Sequence, residues 1–462
     1  MAIVDLRTAP ENFAPAAELL GRLDEAFETG FGRLSSANLE ALASLVRSFQ
    51  GAPLAGELEA AIAGLGRSEF LDRHFAALAA ARSAVLGAMY DALLVQASAA
   101  LERPRPELEK IAAGPAQAPP PKVAVLLESA RHWLMELAIA GFANLEVGAL
   151  LPFQATLDAI MAEPSLVRHA ALLSGFLGEL LTVFPAHGKP EIPRQRWADL
   201  WSRAMVLSLA PPVAAPTRAV HGEMKIIATD LRQHDNVAQL VAFGVLAEAG
   251  KPPRIVRTGV AAFKVDVLQG DDLGGLFGEI GGKLLGAIAG GQALKIDGMA
   301  LTPAGDLVWQ EAKAALLPAK LKLAEEAAAN LAKAPALRPT HEPADRHPAL
   351  IEELVWLPGG SYALAGKDGR ALTVGGQAFP LAIERVPAFG DYSLGDLAGS
   401  KGMVAALRFD AGQWSLQPLM IEAAKPPTRM VGTSLAAGRG KAKGGNLETL
   451  KERAGKLLRK KS

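Results

Sequence analysis

The run from Val237 to Leu246, VAQLVAFGVL, restricts the possible folds more than any other stretch of this sequence. In a β-strand, Val237, Val241 and Val245 share one face, and Leu240 and Leu246 share the other. Since both faces are apolar, other elements must cover this strand on both sides. The run therefore predicts a central sheet with helices packed against it.

Neighbouring segments complete this sheet. Met224 to Ala228 and Val260 to Leu268 are shorter and mixed in polarity, as flanking strands are, and Lys251-Pro252-Pro253 favours a turn before the second. Leu273 to Ile288 has the spacing of an amphipathic helix, and LKIDGMALTPAGDLVW is typical of a hairpin. Glu311 to Lys333, rich in Ala, Lys and Glu, predicts a further helix.

The first half of the chain has helical periodicity. Ser35 can cap a helix over Leu39 to Phe49, and a long helix is expected from Ser68 to Leu101. Arg82 interrupts a strict heptad in that helix, which favours packing inside a bundle over an intermolecular coiled coil. Trp133 to Leu151 is apolar nearly all round and predicts one central helix. No internal repeat is evident.

The period changes to two after residue 350. Ser361 to Ala365 and Ala371 to Val374 flank a Lys-Asp-Gly-Arg turn, and Met403 to Phe409 pairs with Trp414 to Met420 across Asp410-Ala411-Gly412. These patterns predict a small antiparallel β domain. The last residues combine a Gly-rich basic segment with a short amphipathic helix.

The expected fold class is α+β. We divide the chain into a helical bundle (1–101), a Pro-rich linker (102–122), a second helical block (123–215), a central α/β sheet domain (216–334), a linker (335–349), a small β barrel or sandwich (350–424) and a flexible basic tail (425–462).

The charge of the chain is unevenly distributed. Residues 425–462 hold 11 Lys or Arg against Glu448 and Glu452, a net +9, so the preceding 424 residues carry −9. The absence of Cys excludes disulfides and thiolate chemistry and suits a reducing cytoplasm. No uncharged stretch approaches the length of a membrane helix, and the Ala-, Gly- and Arg-rich usage suggests a bacterial source. A soluble, cytoplasmic, bacterial protein is expected.

Sequence signatures of catalysis are missing. Gly278 to Leu284 has the wrong glycine spacing for a phosphate loop and lacks a hydroxyl for magnesium. His341, Glu342, Asp345 and His347 are close in sequence, but Pro343 and Pro348 favour a solvated linker over a metal site. A serine nucleophile elbow is absent. We therefore expect no catalytic residues, no metal and no cofactor.

Two segments carry a resemblance: HFAALAAARSAVLGAMYDALL (His74 to Leu94) and RQRWADLWSRAMVLS (Arg194 to Ser208). They resemble parts of uncharacterised accessory proteins encoded beside bacterial MoxR-type AAA+ ATPases and von Willebrand A-domain proteins. The resemblance covers a small part of the chain, supplies no catalytic residues and leaves the central sheet unexplained. It implies an adaptor in a chaperone-like ATPase system.

These observations favour a non-catalytic adaptor or scaffold whose partner is another protein, with an AAA+ ATPase as a candidate partner. Trp197 and Trp201 lie one helical turn apart, and they either anchor neighbouring helices or form a partner surface together with Arg203. In the tail, the candidate partner-binding residues are Leu450, Leu457, Lys460 and Lys461. One alternative is a nucleic-acid-binding protein that uses the tail and the aromatic side chains of the β domain. Another is an enzyme whose site is assembled from distant residues.

Overall fold

The computed structural model describes residues 3, 6–103, 118–183, 192–209, 217–234, 237–264, 273–333, 335–337, 342–366, 369–385, 391–423 and 429–438. The described residues form an α+β fold with an N-terminal helical part, a central sheet and two smaller antiparallel sheets.

The described region before residue 210 is predominantly α-helical and contains no strand. They are α1 (Phe13–Thr29), α2 (Ser36–Ser48), α3 (Ala55–Gly66), α4 (Asp72–Ala100), α5 (Pro121–Ala140), α6 (Val147–Leu150), α7 (Phe153–Met161), α8 (Val167–Val183) and α9 (Arg194–Leu209). A capping box at Ser35 and Asn38 starts α2, as the sequence predicts. The single central helix expected from Trp133 to Leu151 is wrong, because α5 ends before Gly141 and a new helix begins at Val147.

Two turns in the helical part share one conformation and lie against each other. Gly30 and Gly141 each follow a helix, with φ values of 96° and 86°, and each precedes a 3-10 helix, Phe31–Arg33 or Phe142–Asn144. A Cβ atom on Gly141 would lie 2.4 Å from the backbone N of Gly30, so neither position has room for a side chain.

The similarity continues into the later helices. The sequence Leu-x-Arg-His-x-Ala occurs at Leu71–Ala76 and again at Leu166–Ala171, where it begins α4 and α8. His74 and His169, the histidines of the two motifs, are both buried. The helical part therefore contains a repeated unit, and the prediction that the chain has no internal repeat is wrong.

The central sheet is antiparallel, with strand order β3-β2-β1-β4-β5 and β6 paired to β4. Its strands are β1 (Arg218–His234), β2 (Val237–Ala247), β3 (Arg254–Phe263), β4 (Gln292–Leu301), β5 (Leu307–Val308) and β6 (Ala314–Lys320). The helix expected over Glu311 to Lys333 is wrong in its first half, because β6 lies there and α11 (Leu323–Leu331) is short. The predicted helix after β3 is α10 (Leu273–Gly290), kinked at Gly281.

The C-terminal part has two sheets. A three-stranded sheet contains β8 (Tyr362–Ala365), β9 (Ala371–Val374) and β10 (Gln377–Pro380). A four-stranded sheet contains β7 (Glu353–Pro358), β11 (Gly402–Asp410), β12 (Gln413–Glu422) and β13 (Arg429–Met430). The short helices are α12 (Leu394–Ala398) and α13 (Thr433–Gly438). Both predicted hairpins are confirmed, because β8 pairs with β9 and β11 pairs with β12.

Residues 429–438 belong to the folded body, which corrects the start of the flexible tail. Met430, Val431 and Leu435 are buried, and β13 pairs with β12. The hydroxyl of Thr229 on β1 donates to the carbonyl of Val431. This end of the chain therefore closes the core beside the central sheet.

Two large hydrophobic cores hold the fold, and α4 contributes to both. Phe75, Leu78 and Ala81 pack in the helical core, whereas the later residues from Tyr90 to Leu101 pack in the core of the sheets. By length and composition, α4 and the segment Pro164–Val183 could each cross a membrane. Their apolar windows are 61% and 50% buried in the fold, as in core helices of soluble proteins.

Candidate functional site: an arginine-lined cleft

A cavity of about 920 Å³ lies where the helical part, the central sheet and the C-terminal sheets meet. Its walls come from α8, α9, strands β1 to β3, the segment before β7 and strand β11. Among the described residues, six arginines line it: Arg168, Arg203, Arg232, Arg257, Arg385 and Arg408. We call this cavity the arginine cleft.

Buried charges form the base of the arginine cleft. Arg408 on β11 donates from Nη2 to Glu352 Oε1 at 2.6 Å and to Asp230 Oδ2 at 3.3 Å. Gln417 on β12 accepts from Arg408 Nε at 2.9 Å and donates from Nε2 to Asp230 Oδ1 at 2.8 Å. These side chains are almost fully buried, so the network joins the central sheet to the C-terminal sheet through satisfied polar groups.

Two further arginines contact the same carboxylate. Arg232 on β1 donates to Glu352 and Asp230, and Arg257 on β3 donates to Glu352 Oε2 at 3.2 Å and to Asp306 Oδ1 at 2.6 Å. Burial alone would raise the pKa of Glu352, but the three surrounding guanidinium groups lower the pKa to about 2. Glu352 is therefore ionised at neutral pH and fixes the arginines of three strands.

The opposite wall carries a looser pair of arginines. Arg168 on α8 places Nη2 2.6 Å from Asp345 Oδ1, and Arg203 on α9 places Nη2 3.9 Å from the same atom. Arg203 also donates from Nε to the carbonyl of Ala344 at 2.9 Å. The side chains of Arg168 and Asp345 are 44% and 36% exposed, so solvent reaches this wall.

A second buried network supports that wall from behind. Arg82 on α4 donates from Nε to Asp24 Oδ1 at 2.9 Å, and its Nη1 lies 3.5 Å from Asp199 Oδ1. His347 Nε2 lies 3.5 Å from the same Asp199 oxygen, and Nδ1 of His347 accepts from the amide of Ala349. Burial lowers the pKa of His347, which favours the neutral imidazole.

One side of the arginine cleft is apolar. Ile280 on α10, Val308 on β5 and Leu350 all line the cavity, although each side chain is at least 39% exposed. Trp309 and Val260 extend this apolar lining. The cleft therefore combines guanidinium groups with large apolar side chains that are open to solvent.

This arrangement can bind an anionic group, since guanidinium groups donate in a fork that matches carboxylate or phosphate oxygens. It does not resemble a metal centre: in the described part of the chain, no group of three His, Asp or Glu side chains is placed to hold an ion. Two of the clustered residues before Pro348 have other contacts: Asp345 forms an ion pair with Arg168, and His347 lies beside Asp199.

The segment expected to be a solvated linker, 335–349, is packed against the helices where it is described. Arg346 forms an ion pair with Asp91 on α4 and touches the helix at Gly87. Together with the contacts of Asp345 and His347, this packing makes residues 342–349 part of the cleft wall. Of the Pro-rich linker, Arg103 is buried and donates to the carbonyl of Leu354 at 3.0 Å.

The structure separates the sequence-predicted site residues. Trp197 and Trp201 are fully buried in the helical core, where Trp201 Nε1 donates to the carbonyl of Leu134 at 2.7 Å. This is the arrangement that the anchor hypothesis requires, and neither ring is open to a partner. Arg203 lies in the arginine cleft. Leu450, Leu457, Lys460 and Lys461 lie outside the described residues.

Sequence reasoning missed the arginine cleft because its members are far apart in the chain. Arg408 and Asp230 are 178 residues apart, and Arg232 and Glu352 are 120 apart. The one local signal was Arg82, a charge on the apolar face of α4, which marks a buried ion pair.

Comparisons with protein-family models, with curated proteins and with solved structures gave no match.

Proposed function

We propose that this protein is a non-catalytic adaptor or scaffold of a cytoplasmic bacterial assembly, and that the arginine cleft receives an acidic segment of its partner protein. One observation carries the proposal: six arginines, drawn from all three parts of the described chain, surround a single solvent-open cavity. A cavity so lined favours the binding of a negatively charged group.

The composition of the cleft supports a protein partner. Arginine and tryptophan are enriched at protein interfaces, and exposed large apolar side chains mark contact surfaces. Ile280, Val308 and Trp309 supply the apolar surface beside the arginines. An AAA+ ATPase of the MoxR type remains a candidate partner, on the sequence resemblance alone.

Rigid support also suits an adaptor. Glu352 and Asp230 hold Arg232, Arg257 and Arg408 in place, so little side-chain freedom is lost when a ligand binds to them. The proposed role is therefore to present guanidinium groups in fixed positions to an acidic chain.

Nucleic-acid binding is the second candidate, favoured by the net +9 of residues 425–462. The two candidates place the ligand differently. An acidic peptide depends on the arginines of the cleft, whereas DNA or RNA depends on the Lys and Arg of the tail.

Fluorescence anisotropy separates them. A labelled peptide of Glu and Leu residues, its Glu→Gln analogue and a single-stranded oligonucleotide are titrated with the full chain. We expect only the acidic peptide to bind, and binding to weaken about tenfold in the variant Arg168→Ala. Arg22→Ala, which removes an exposed arginine paired with Glu18 on α1, is the control. Oligonucleotide binding that is lost without residues 439–462, with no binding of the acidic peptide, would refute the proposal.

A further inference from the structure

Asp345 occupies the position in the arginine cleft where the carboxylate of a ligand would be expected. Its Oδ1 atom lies between the Nη2 atoms of Arg168, at 2.6 Å, and Arg203, at 3.9 Å. Two guanidinium groups from separate helices thus converge on a single carboxylate oxygen. Such convergence is how proteins bind the carboxylate of a ligand.

This internal ion pair is replaceable. The side chains of Asp345 and Arg168 are both more than one-third exposed, and exposed ion pairs contribute little to stability. Asp345 also ends a short 3-10 helix, Pro343–Asp345, that is not part of a sheet or a long helix. A carboxylate supplied by a partner therefore displaces Asp345 at little cost.

The apolar side of the cleft defines the rest of the ligand. Ile280 is 42% exposed and Val308 is 45% exposed, and both line the same cavity as the arginines. Ile280 directly precedes the kink of α10 at Gly281, which packs against β3 so closely that a Cβ atom would lie 2.8 Å from Val260 Cγ1. Within the part of the chain that the structure describes, these two large apolar side chains are therefore accessible to solvent.

We propose, on the basis of the proposed function, that the arginine cleft recognises an acidic residue next to a large apolar residue in the partner chain. The acidic residue replaces Asp345 at Arg168 and Arg203. The apolar residue covers Ile280 and Val308. The unliganded protein thus carries its own weak competitor for the acidic subsite.

Anisotropy titrations with two labelled peptides test this arrangement. One peptide contains Glu beside Leu, and the other contains Glu beside Ser. Asp345→Asn should tighten binding of both about fivefold, because it removes a competing ion pair worth about 1 kcal/mol. Ile280→Ser should weaken only the Leu peptide, about threefold, since the Ser peptide makes no apolar contact there. Leu151→Ser, at another exposed apolar position, is the control and should change neither affinity.

The outcomes separate the two proposals. If each peptide binds every variant with the same affinity as the wild type, this inference is wrong while the acidic-ligand function stands. The same holds if Asp345→Asn weakens binding. If neither peptide binds the wild type or Asp345→Asn, the proposed function itself fails. Urea unfolding midpoints of all variants establish that they are folded, and Asp345→Ser provides a second substitution at the competitor position.

Discussion

The backbones of Gly30 and Gly141 touch: a Cβ atom on Gly30 would lie 2.6 Å from the carbonyl oxygen of Ala140, and one on Gly141 would lie 2.4 Å from the N of Gly30. Both residues have positive φ values, which side chains disfavour. The contact joins the two copies of the helical repeat at equivalent positions. Glycine is therefore required at both positions, because the φ values are positive and because the contact leaves no space for a Cβ atom.

Gly141→Ala should therefore destabilise the protein by about 3 kcal/mol, from backbone strain and from the displacement of the facing turn. Gly21→Ala, in the middle of α1 with nothing within 4 Å of the added Cβ, should instead stabilise it by about 0.5–1 kcal/mol. Urea unfolding followed by circular dichroism measures both. Equal effects of the two substitutions would contradict the close packing of the turns.

The buried carboxylate of Glu352 should contribute strongly to the unfolding free energy, because three arginines share it. Glu352→Gln leaves Arg232, Arg257 and Arg408 without their shared anion and should cost about 3 kcal/mol of unfolding free energy. Glu325→Gln removes an exposed glutamate paired with Lys322 and should change stability by less than about 1 kcal/mol.

The dependence of the unfolding free energy on pH should also show the contribution of Glu352. The pKa of Glu352 is about 2 in the folded protein against an ordinary value of 4.5, so its ionised form stabilises the fold above pH 4.5. That stabilisation is lost as the pH falls from 4.5 towards 2. The unfolding free energy of Glu352→Gln should accordingly fall less steeply over this window than that of the wild type.

The effect of His347 on stability should appear at a higher pH than that of Glu352. Burial lowers its pKa below the ordinary 6.5, with Asp199 opposing the shift and Arg82 and Arg203 adding to it. Below pH 6.5 the unfolded chain binds a proton that the folded protein does not, so stability falls as the pH falls. His347→Gln should reduce this slope just below pH 6.5. An unchanged slope would contradict this role of His347 and would leave His169, whose pKa burial also lowers, as the next histidine to test.

Two truncations test the corrected end of the fold. A chain ending at Gly438 keeps β13 and α13, whereas a chain ending at Thr428 loses them. Because Met430, Val431 and Leu435 are buried, the second chain should be less stable than the first by on the order of 5 kcal/mol. Similar melting temperatures for the two chains would argue that these residues do not close the core.

Trp201 should be a stability residue. Its ring lies between Phe27 and Phe75, with centroids 4.5 and 6.4 Å away, so Trp201→Ala should cost about 4 kcal/mol. Trp201→Phe, which keeps the aromatic contacts and loses the hydrogen bond to Leu134, should cost less than half as much. Partner binding lost at unchanged melting temperature would support the partner-surface hypothesis instead.

Local patterns predicted much of the fold. The apolar faces of Val237 to Leu246 identified β2. The turn residues at 251–253 and 410–412 correctly predicted the turns between β2 and β3 and between β11 and β12. The failures have specific physical causes. Ala314 to Leu317 has helical propensity, but Pro318 disfavours a continuous helix and pairing with β4 makes the segment a strand. Gly141 sits in an apolar run, where its positive φ ends α5 and its turn packs against that of Gly30.

The candidate site was less accessible to prediction. From its neighbours in the sequence alone, each charged side chain is predicted to be exposed to solvent. The pairing of Glu352 with Arg232, Arg257 and Arg408 depends on three-dimensional proximity, which local patterns do not contain. The repeat is also concealed, because α2 has 13 residues and its counterpart α6 has four. The matching Leu-x-Arg-His-x-Ala motifs were the signal that could have identified it.

The position of α4 in two cores has a consequence for biosynthesis. Phe75 and Leu78 can pack as soon as the first helical residues have left the ribosome, but Arg103 at the far end waits for Leu354, 251 residues later. At about 5–20 residues per second, that delay lasts roughly 10–50 s. During most of it, the core that contains the apolar residues from Tyr90 to Leu101 lacks its C-terminal strands β7, β11 and β12. The nascent chain therefore exposes the later part of α4 to chaperones, and to aggregation, until the C-terminal sheets are made.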